Sequence, residues 1–85
     1  MEIKLQEATA GPVYAQVRDQ IEAQIKSGAL SPGTLLQAPA ALAHRLATDT
    51  GEIHRAYYEL VQSGLVTSRA TRDFLGKEKT VYTVV

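Results

Sequence analysis

The stretch "TDTGEIHRAYYEL", residues 48–60, has the pattern of a capped amphipathic helix. Thr48 or Asp49 can cap it, because a side-chain oxygen at this position accepts a hydrogen bond from a backbone N–H of the first turn. Apolar side chains then recur at helical spacing and predict one buried stripe, formed by Ile53, Ala56, Tyr57, Leu60 and Val61. The opposite face is predicted to point outward and carries Gly51, Glu52, His54, Arg55, Tyr58 and Glu59.

Two further helices are predicted upstream. Residues 11–28, "GPVYAQVRDQIEAQIKSG", have a proline suited to a first turn and end at a glycine. Their apolar stripe consists of Tyr14, Val17, Ile21 and Ile25. Residues 37–47, "QAPAALAHRLA", predict a short helix that Pro39 opens. Its inner side carries Leu42, Ala43 and Leu46. A Ser-Pro-Gly turn at 31–33 and a short strand at 34–36 are expected between these helices.

The C-terminal third predicts a hairpin. The β-type segments "LVTSR", residues 65–69, and "TVYTVV", residues 80–85, are separated by the ten residues "ATRDFLGKEK". The order of elements predicts an α+β winged helix-turn-helix fold with three helices and a C-terminal β-hairpin wing. Residues 1–11 are expected to form an N-terminal arm, or a frayed strand in which Met1, Ile3 and Leu5 alternate, and residues 12–85 the winged-helix domain. One core is expected to hold Val17, Ile21, Leu42, Leu46, Ile53, Tyr57 and Leu60.

Composition narrows the possible functions. The 85 residues, 45% hydrophobic and 21% charged, are typical of one folded domain. The chain has no cysteine, which excludes disulfides and thiolate zinc sites and fits a cytoplasmic protein. No apolar run approaches the ~20 residues of a membrane span. Nine basic and nine acidic side chains give zero net charge, whereas nucleic-acid-binding domains usually carry a basic excess.

No catalytic, cofactor or metal site is predicted. His44 and His54 lie ten positions apart without His-Glu-x-x-His spacing, and the chain has no glycine-rich phosphate loop. Serine, histidine and aspartate are present, but their spacing does not bring them together. We therefore expect a protein that is not an enzyme.

Residues 12–36, "PVYAQVRDQIEAQIKSGALSPGTLL", resemble the N-terminal DNA-binding domain of GntR-type bacterial transcription regulators. The family's Ser-Gly-x-Leu-x-Pro-Gly-x-x-Leu turn is matched by Ser27, Gly28, Leu30, Pro32, Gly33 and Leu36. "RAYYELVQSGLVTSR", residues 55–69, resembles the family's recognition helix and first wing strand. The resemblance covers about residues 12–69 and implies a homodimer that binds double-stranded DNA, with the third helix in the major groove and the wing on the backbone.

The chain departs from the family where that family contacts DNA. The usual Pro-Ser-Glu-Arg after Leu36 is replaced by Gln-Ala-Pro-Ala at 37–40, and Val-Ser-Arg by Thr-Asp-Thr at 48–50. His54 stands where the family often has arginine, and no glycine-rich wing tip is recognisable. Asp49 and Glu52 are expected to oppose an approaching phosphate.

The remaining candidate DNA contacts are Thr50, Gly51, His54, Arg55 and Tyr58 on the third helix and Arg69, Arg72, Lys77 and Lys79 on the wing. Arg55 could equally pair with Glu59. The alternative function is a winged helix that binds protein through the third helix and Tyr58, or through self-association. Self-association is expected through the arm with the first helix, or through the strand edge at residues 81–85.

Overall fold

The computed structural model describes residues 2–6 and 11–85. Three helices and two strands follow one another: α1 (Val13–Lys26), α2 (Pro39–Leu46), α3 (Thr50–Gln62), β1 (Val66–Arg72) and β2 (Glu78–Val84). This order confirms the predicted α+β winged helix-turn-helix fold. Pro12 is the N-cap of α1 and lies just before the first turn in which the sequence placed it.

Side chains from every element meet in one core. The fully buried ones of large volume are Tyr57, Ile21, Leu42, Ile53, Leu60, Val17 and Val66. Leu46 was predicted to join them and is only half-buried, because α2 ends there and Ala47 turns the chain away with a φ of 54°. Val61, Tyr14 and Ile25 are likewise half-buried and pack against the edge of the core.

Tyr57 fixes how α3 sits in this core. Its hydroxyl donates a hydrogen bond of 2.7 Å to the carbonyl of Gln37, just before α2. Its ring meets that of Tyr82 on β2 edge to face, with centroids 4.8 Å apart. Burial raises the pKa of the Tyr57 hydroxyl, so the group remains a donor. One side chain therefore joins α3 to the start of α2 and to the wing.

The hairpin is longer than its apolar residues suggested. β1 and β2 pair antiparallel from Val66 opposite Val84 to Arg72 opposite Glu78, which leaves a five-residue tip at 73–77. The predicted ten-residue tip is wrong. The outer part of the hairpin is almost wholly exposed, so no apolar alternation marks it, and backbone pairing alone extends the strands.

Residues 33–36 cover the end of β2. Leu35 forms an isolated bridge with Thr83 rather than a strand. Gly33 N–H donates to the Val84 carbonyl at 2.8 Å, and Val84 N–H donates to the Thr34 carbonyl at 2.9 Å. Val84 is itself 3% exposed. The strand edge predicted at residues 81–85 is therefore covered by residues 33–36, and deleting residues 81–85 would remove part of the core. Self-association through this edge stays a prediction.

The described arm residues 2–6 lie along α1 and are held there by hydrogen bonds between their backbone and glutamine side chains of that helix. The Gln20 amide accepts from Lys4 N–H at 2.9 Å and donates to the Lys4 carbonyl at 2.7 Å. Gln16 accepts from Gln6 N–H, and Gln24 donates to the Glu2 carbonyl. Ile3 reaches the core. Met1 and residues 7–10 lie outside the described residues, so the boundary between arm (1–11) and domain (12–85) stays a prediction.

Leu42 and Leu46 offer a matched test of this core, since both are leucines on α2. We expect Leu42→Ala to cost about 2–5 kcal/mol of unfolding free energy, because the side chain is fully buried. Leu46→Ala should cost roughly 1 kcal/mol, because part of that side chain already contacts water. Urea denaturation followed by circular dichroism measures both. Equal losses would contradict the placement of Leu46 at the edge.

Candidate nucleic-acid interface

The outward face of α3 brings together most of the predicted contact residues. Gly51, His54, Arg55 and Tyr58 are all exposed and recur at helical spacing, and Tyr58 is 62% exposed. Thr50, at the start of the helix, is half-buried. The helix therefore presents one polar surface with an aromatic side chain and a cation on it.

Glu52 does not face outward, contrary to the sequence prediction. Its Oε2 accepts a hydrogen bond of 3.0 Å from the backbone N–H of Tyr14, in the first turn of α1. Pro12, the N-cap of α1, has no side-chain acceptor, so Glu52 supplies one from another helix. The carboxylate also lies at the positive end of the α1 dipole, which stabilises its charge.

Glu59 is also turned toward α1 and is half-buried. One of its carboxylate oxygens accepts from Arg18 Nη1 of α1, and the other accepts from Arg55 Nε at 3.4 Å. The hydrogen bond from Arg18 is the main cause that lowers the pKa of Glu59, with a smaller contribution from Arg55. The hydrogen bond to Asp19 is the largest cause that raises the pKa of Arg18, and the hydrogen bond to Glu59 is the next. Arg18 and Glu59 are therefore both ionised, and their ion pair holds α1 and α3 together.

Arg55 is positioned by two partners. Its Cζ lies 3.8 Å from the centroid of the Tyr14 ring, and its Nε pairs with Glu59. A guanidinium over an aromatic face is attracted by the ring's negative quadrupole. Of the two alternatives open from the sequence, pairing with Glu59 is therefore present in the unbound domain. The Arg55 side chain is still 60% exposed and so accessible on the α3 face.

Asp49 is the acidic side chain that stays at the exposed start of α3. It is the N-cap residue, one of the two candidates that the sequence left open, and its Oδ1 accepts from Gly51 N–H at 3.1 Å. The cap occupies a backbone donor that would otherwise be available to an anion. This end of α3 is therefore poorly suited to bind a phosphate.

The wing carries four exposed cations that do not share one face. Residues directly opposite each other in an antiparallel pair point the same way, and neighbours along a strand alternate. Arg69 is opposite Val81 and Thr71 is opposite Lys79, so Arg69 and Lys79 lie on one face. Arg72 lies on the other face and pairs with Glu78 at 3.3 Å. Lys77 belongs to the tip.

The wing tip also holds two apolar side chains that the sequence reasoning missed as candidates. Phe74 is 95% exposed and Leu75 is 69% exposed. Their signal in the sequence is an apolar pair between charged residues, "RDFLGKEK" at 72–79. Tyr14 and Arg18 were missed as well, because only the packing of α1 on α3 brings them to the site.

The family model for bacterial regulatory proteins of the gntR family matches residues 13–74. The chain belongs to this family. The GntR match ends within the wing tip, at the exposed Phe74. Within the part of the chain that the structure describes, no helix is long and apolar enough to cross a membrane. The described residues likewise contain no group of three histidine, aspartate or glutamate side chains placed to hold a metal.

Similar proteins include both sequence relatives and solved structures. The HTH-type transcriptional regulator Rv1152 of Mycobacterium tuberculosis is 36% identical over 58 residues, which are 68% of this chain and 48% of the relative. The chain thus spans about half the length of that relative. YtrA from Sulfolobus acidocaldarius, a GntR-family transcription factor, has a TM-score of 0.73 and 31% identity over 98% of this chain and 77% of its own.

A second solved structure supports the fold alone. AraR(DBD), in complex with operator ORX1, superimposes with a TM-score of 0.71 over all of this chain and 96% of its own, at 23% identity.

The ion pair between Arg18 of α1 and Glu59 of α3 predicts that the stability of this GntR domain depends on pH. The folded pKa of Glu59 lies below its ordinary value of 4.5, so its stabilisation is complete above that value and disappears as pH falls through the folded pKa. We expect Glu59→Gln to be less stable than wild type at neutral pH, and the difference to shrink at acidic pH. Thermal unfolding between pH 7 and pH 3 measures it.

Glu22→Gln is the matched control, because Glu22 pairs at 3.5 Å with Lys26 on the surface of α1 itself and does not join two helices. Its effect on the unfolding temperature should be small throughout. A loss of stability in Glu59→Gln that is the same at every pH would contradict a stabilising ion pair between Glu59 and Arg18.

Proposed function

We propose that this chain is the DNA-binding domain of a bacterial transcription regulator and places the exposed face of α3 in the major groove of double-stranded DNA. Membership of a family of regulatory proteins supports the proposal. The similarity to YtrA, a GntR-family transcription factor with 31% identity, supports it further. Winged helix-turn-helix domains that read DNA use the second helix of the motif in this way.

The observation that carries the proposal is the orientation of the glutamates of α3. Glu52 and Glu59 hydrogen-bond to α1, so neither carboxylate is directed from the exposed face toward a phosphate backbone. The α3 residues left on that face are neutral or cationic, and Asp49 at the start of the helix is the acidic side chain that remains beside them. Zero net charge is then compatible with DNA binding, because these two carboxylates are placed against α1 rather than on the exposed face of α3. The proposed contacts on α3 are Thr50, Gly51, His54, Arg55 and Tyr58.

The wing supplies the proposed phosphate contacts. Arg69 and Lys79 share one face of the hairpin, and Lys77 lies at its tip. These three residues are therefore the candidates to contact the phosphate backbone of one DNA strand. Arg72 lies on the other face, pairs with Glu78 and is the weakest of the four DNA contacts predicted on the wing. Each neutralised phosphate contributes about −0.9 to the slope of log affinity against log salt, so three or four contacts give a slope of roughly −3 to −4.

The proposed setting is a cytoplasmic homodimer without catalytic activity. Dimers of this fold class bind two half-sites separated by about one helical turn. The second candidate function is a protein contact through α3, which the 62% exposure of Tyr58 favours. Exposed aromatic side chains are enriched at protein interfaces.

Arg55 and Arg18 provide a matched test of the proposal. Both contact Glu59 and the Tyr14 ring, but only Arg55 belongs to the exposed face of α3. We expect Arg55→Ala to weaken binding to a duplex selected from a random library and to reduce the salt slope by about 0.9. Arg18→Ala should leave the slope unchanged. Fluorescence anisotropy over a salt series measures both.

Glu52→Gln tests the inward orientation of Glu52, and Tyr58→Ala separates the two candidate functions. Since Glu52 faces α1, we expect this change to leave DNA affinity within about twofold, rather than to tighten it as an outward carboxylate would require. Tyr58→Ala should weaken DNA binding only modestly. Failure of the wild-type protein to bind any duplex, with Tyr58→Ala abolishing a protein contact, would replace the DNA proposal by the second candidate.

A further inference from the structure

The wing tip exposes two large apolar side chains that do not pack against the rest of the domain. Phe74 is 95% exposed, more than any other large hydrophobic side chain among the described residues, and its neighbour Leu75 is 69% exposed. An aromatic side chain left in water forgoes the favourable free energy of burying its apolar surface. Phe74 contributes nothing to the core, so a partner that covers it would recover this energy.

The tip is held in one shape by its own hydrogen bonds. Asp73 Oδ1 accepts from Leu75 N–H at 2.9 Å and from Lys77 N–H at 3.0 Å. Asp73 N–H donates to the Lys77 carbonyl at 3.0 Å, and Gly76 takes the positive φ of 81° that closes the turn. The two apolar side chains therefore project from a constrained turn, which lowers the entropy lost when they enter a narrow site.

The charges around the tip favour a polyanion as the partner. Residues 69–79 carry four cations and two carboxylates. Both carboxylates are engaged, Asp73 with two backbone N–H groups and Glu78 with Arg72. Lys77 and Lys79 have no ion pair of 4.0 Å or less with the described residues. An apolar pair flanked by such cations matches a nucleic-acid groove, with phosphates on both sides of stacked bases.

The hairpin is long enough to bring the tip to a groove beside the one proposed for α3. β1 starts four residues after α3 ends and runs for seven residues. At ~3.3 Å per residue the strand extends roughly 20 Å. Half a turn of B-DNA is about 17 Å, since one turn measures about 34 Å.

We propose that Phe74, supported by Leu75, is an apolar wedge that enters the minor groove and partly unstacks a base step while α3 lies in the neighbouring major groove. This inference rests on the proposed function. Phenylalanine and leucine are among the side chains that unstack base steps from the minor groove and kink the duplex. Flexible TA and CA/TG steps deform at the lowest energy. The wedge thus selects a deformable step about half a turn from the α3 site, without a hydrogen bond to a base.

The test uses duplexes of about 30 base pairs selected from a random library by the full chain and labelled at both ends with a fluorophore pair. Wild-type protein should bend the duplex, seen as increased energy transfer. It should also increase the fluorescence of 2-aminopurine placed at the flexible step. Phe74→Ala should weaken binding about 10-fold and abolish both signals. The salt slope should not change, because no charge is lost.

Three variants control for fold and charge. Phe74→Leu keeps an apolar wedge and should retain most of the bend. Leu35→Ala removes a 64%-exposed apolar side chain outside the wing and should behave as wild type. Lys77→Ala should reduce the salt slope by about 0.9 and leave the 2-aminopurine signal in place.

The outcomes separate the wedge from the proposed function. If wild-type protein binds no duplex, both fail. If it binds, and Phe74→Ala changes neither the bend nor the 2-aminopurine signal, only the wedge is overturned. A Phe74→Ala variant that binds DNA normally but loses self-association in sedimentation would identify the tip as a protein contact and would also overturn the wedge.

Discussion

The rest of the structure depends on the burial of Tyr57. Its side chain has no exposed surface, yet it carries a hydroxyl that needs a partner, and the Gln37 carbonyl satisfies it at 2.7 Å. A buried polar group without a partner would destabilise the core, so α3 packs in the one rotation that makes this bond. The same ring meets Tyr82, which fixes the base of the wing against α3. These two contacts of Tyr57 therefore set which face of α3 is exposed and where the hairpin lies.

That rotation also decides what the charges do. With Tyr57 inward, Glu52 meets the start of α1, and Glu59 meets Arg18. Net charge counts these carboxylates, whereas a ligand approaching α3 encounters a face from which they have been withdrawn. Tyr14 belongs to the same arrangement, since its backbone N–H binds Glu52 and its ring lies under Arg55. α1 thus supports α3, and the orientation of Arg55 depends on Tyr14, which is distant in sequence.

The wing follows different physics from the helical body. It has almost no buried side chains beyond its base, so paired backbone bonds and a tight turn hold its shape. Its side chains are therefore free to serve a ligand rather than the core. The strand register places Arg69 and Lys79 together and separates them from Arg72. The tip adds Phe74, which is 95% exposed.

The amino-acid sequence is sufficient to predict the three helices, the Ser-Pro-Gly turn and the winged-helix class, because apolar spacing, proline and glycine positions and a cap at Thr48 or Asp49 act locally. It also identified most of the buried residues and the exposed face of α3. The folded structure was needed to establish the partners of Glu52, Glu59 and Arg55, the edge position of Leu46, the length of the wing strands and the cover over β2. Each of these depends on contacts between residues far apart in the chain. A local pattern specifies which face of an element is apolar, but not which group on another element its polar side chains will reach.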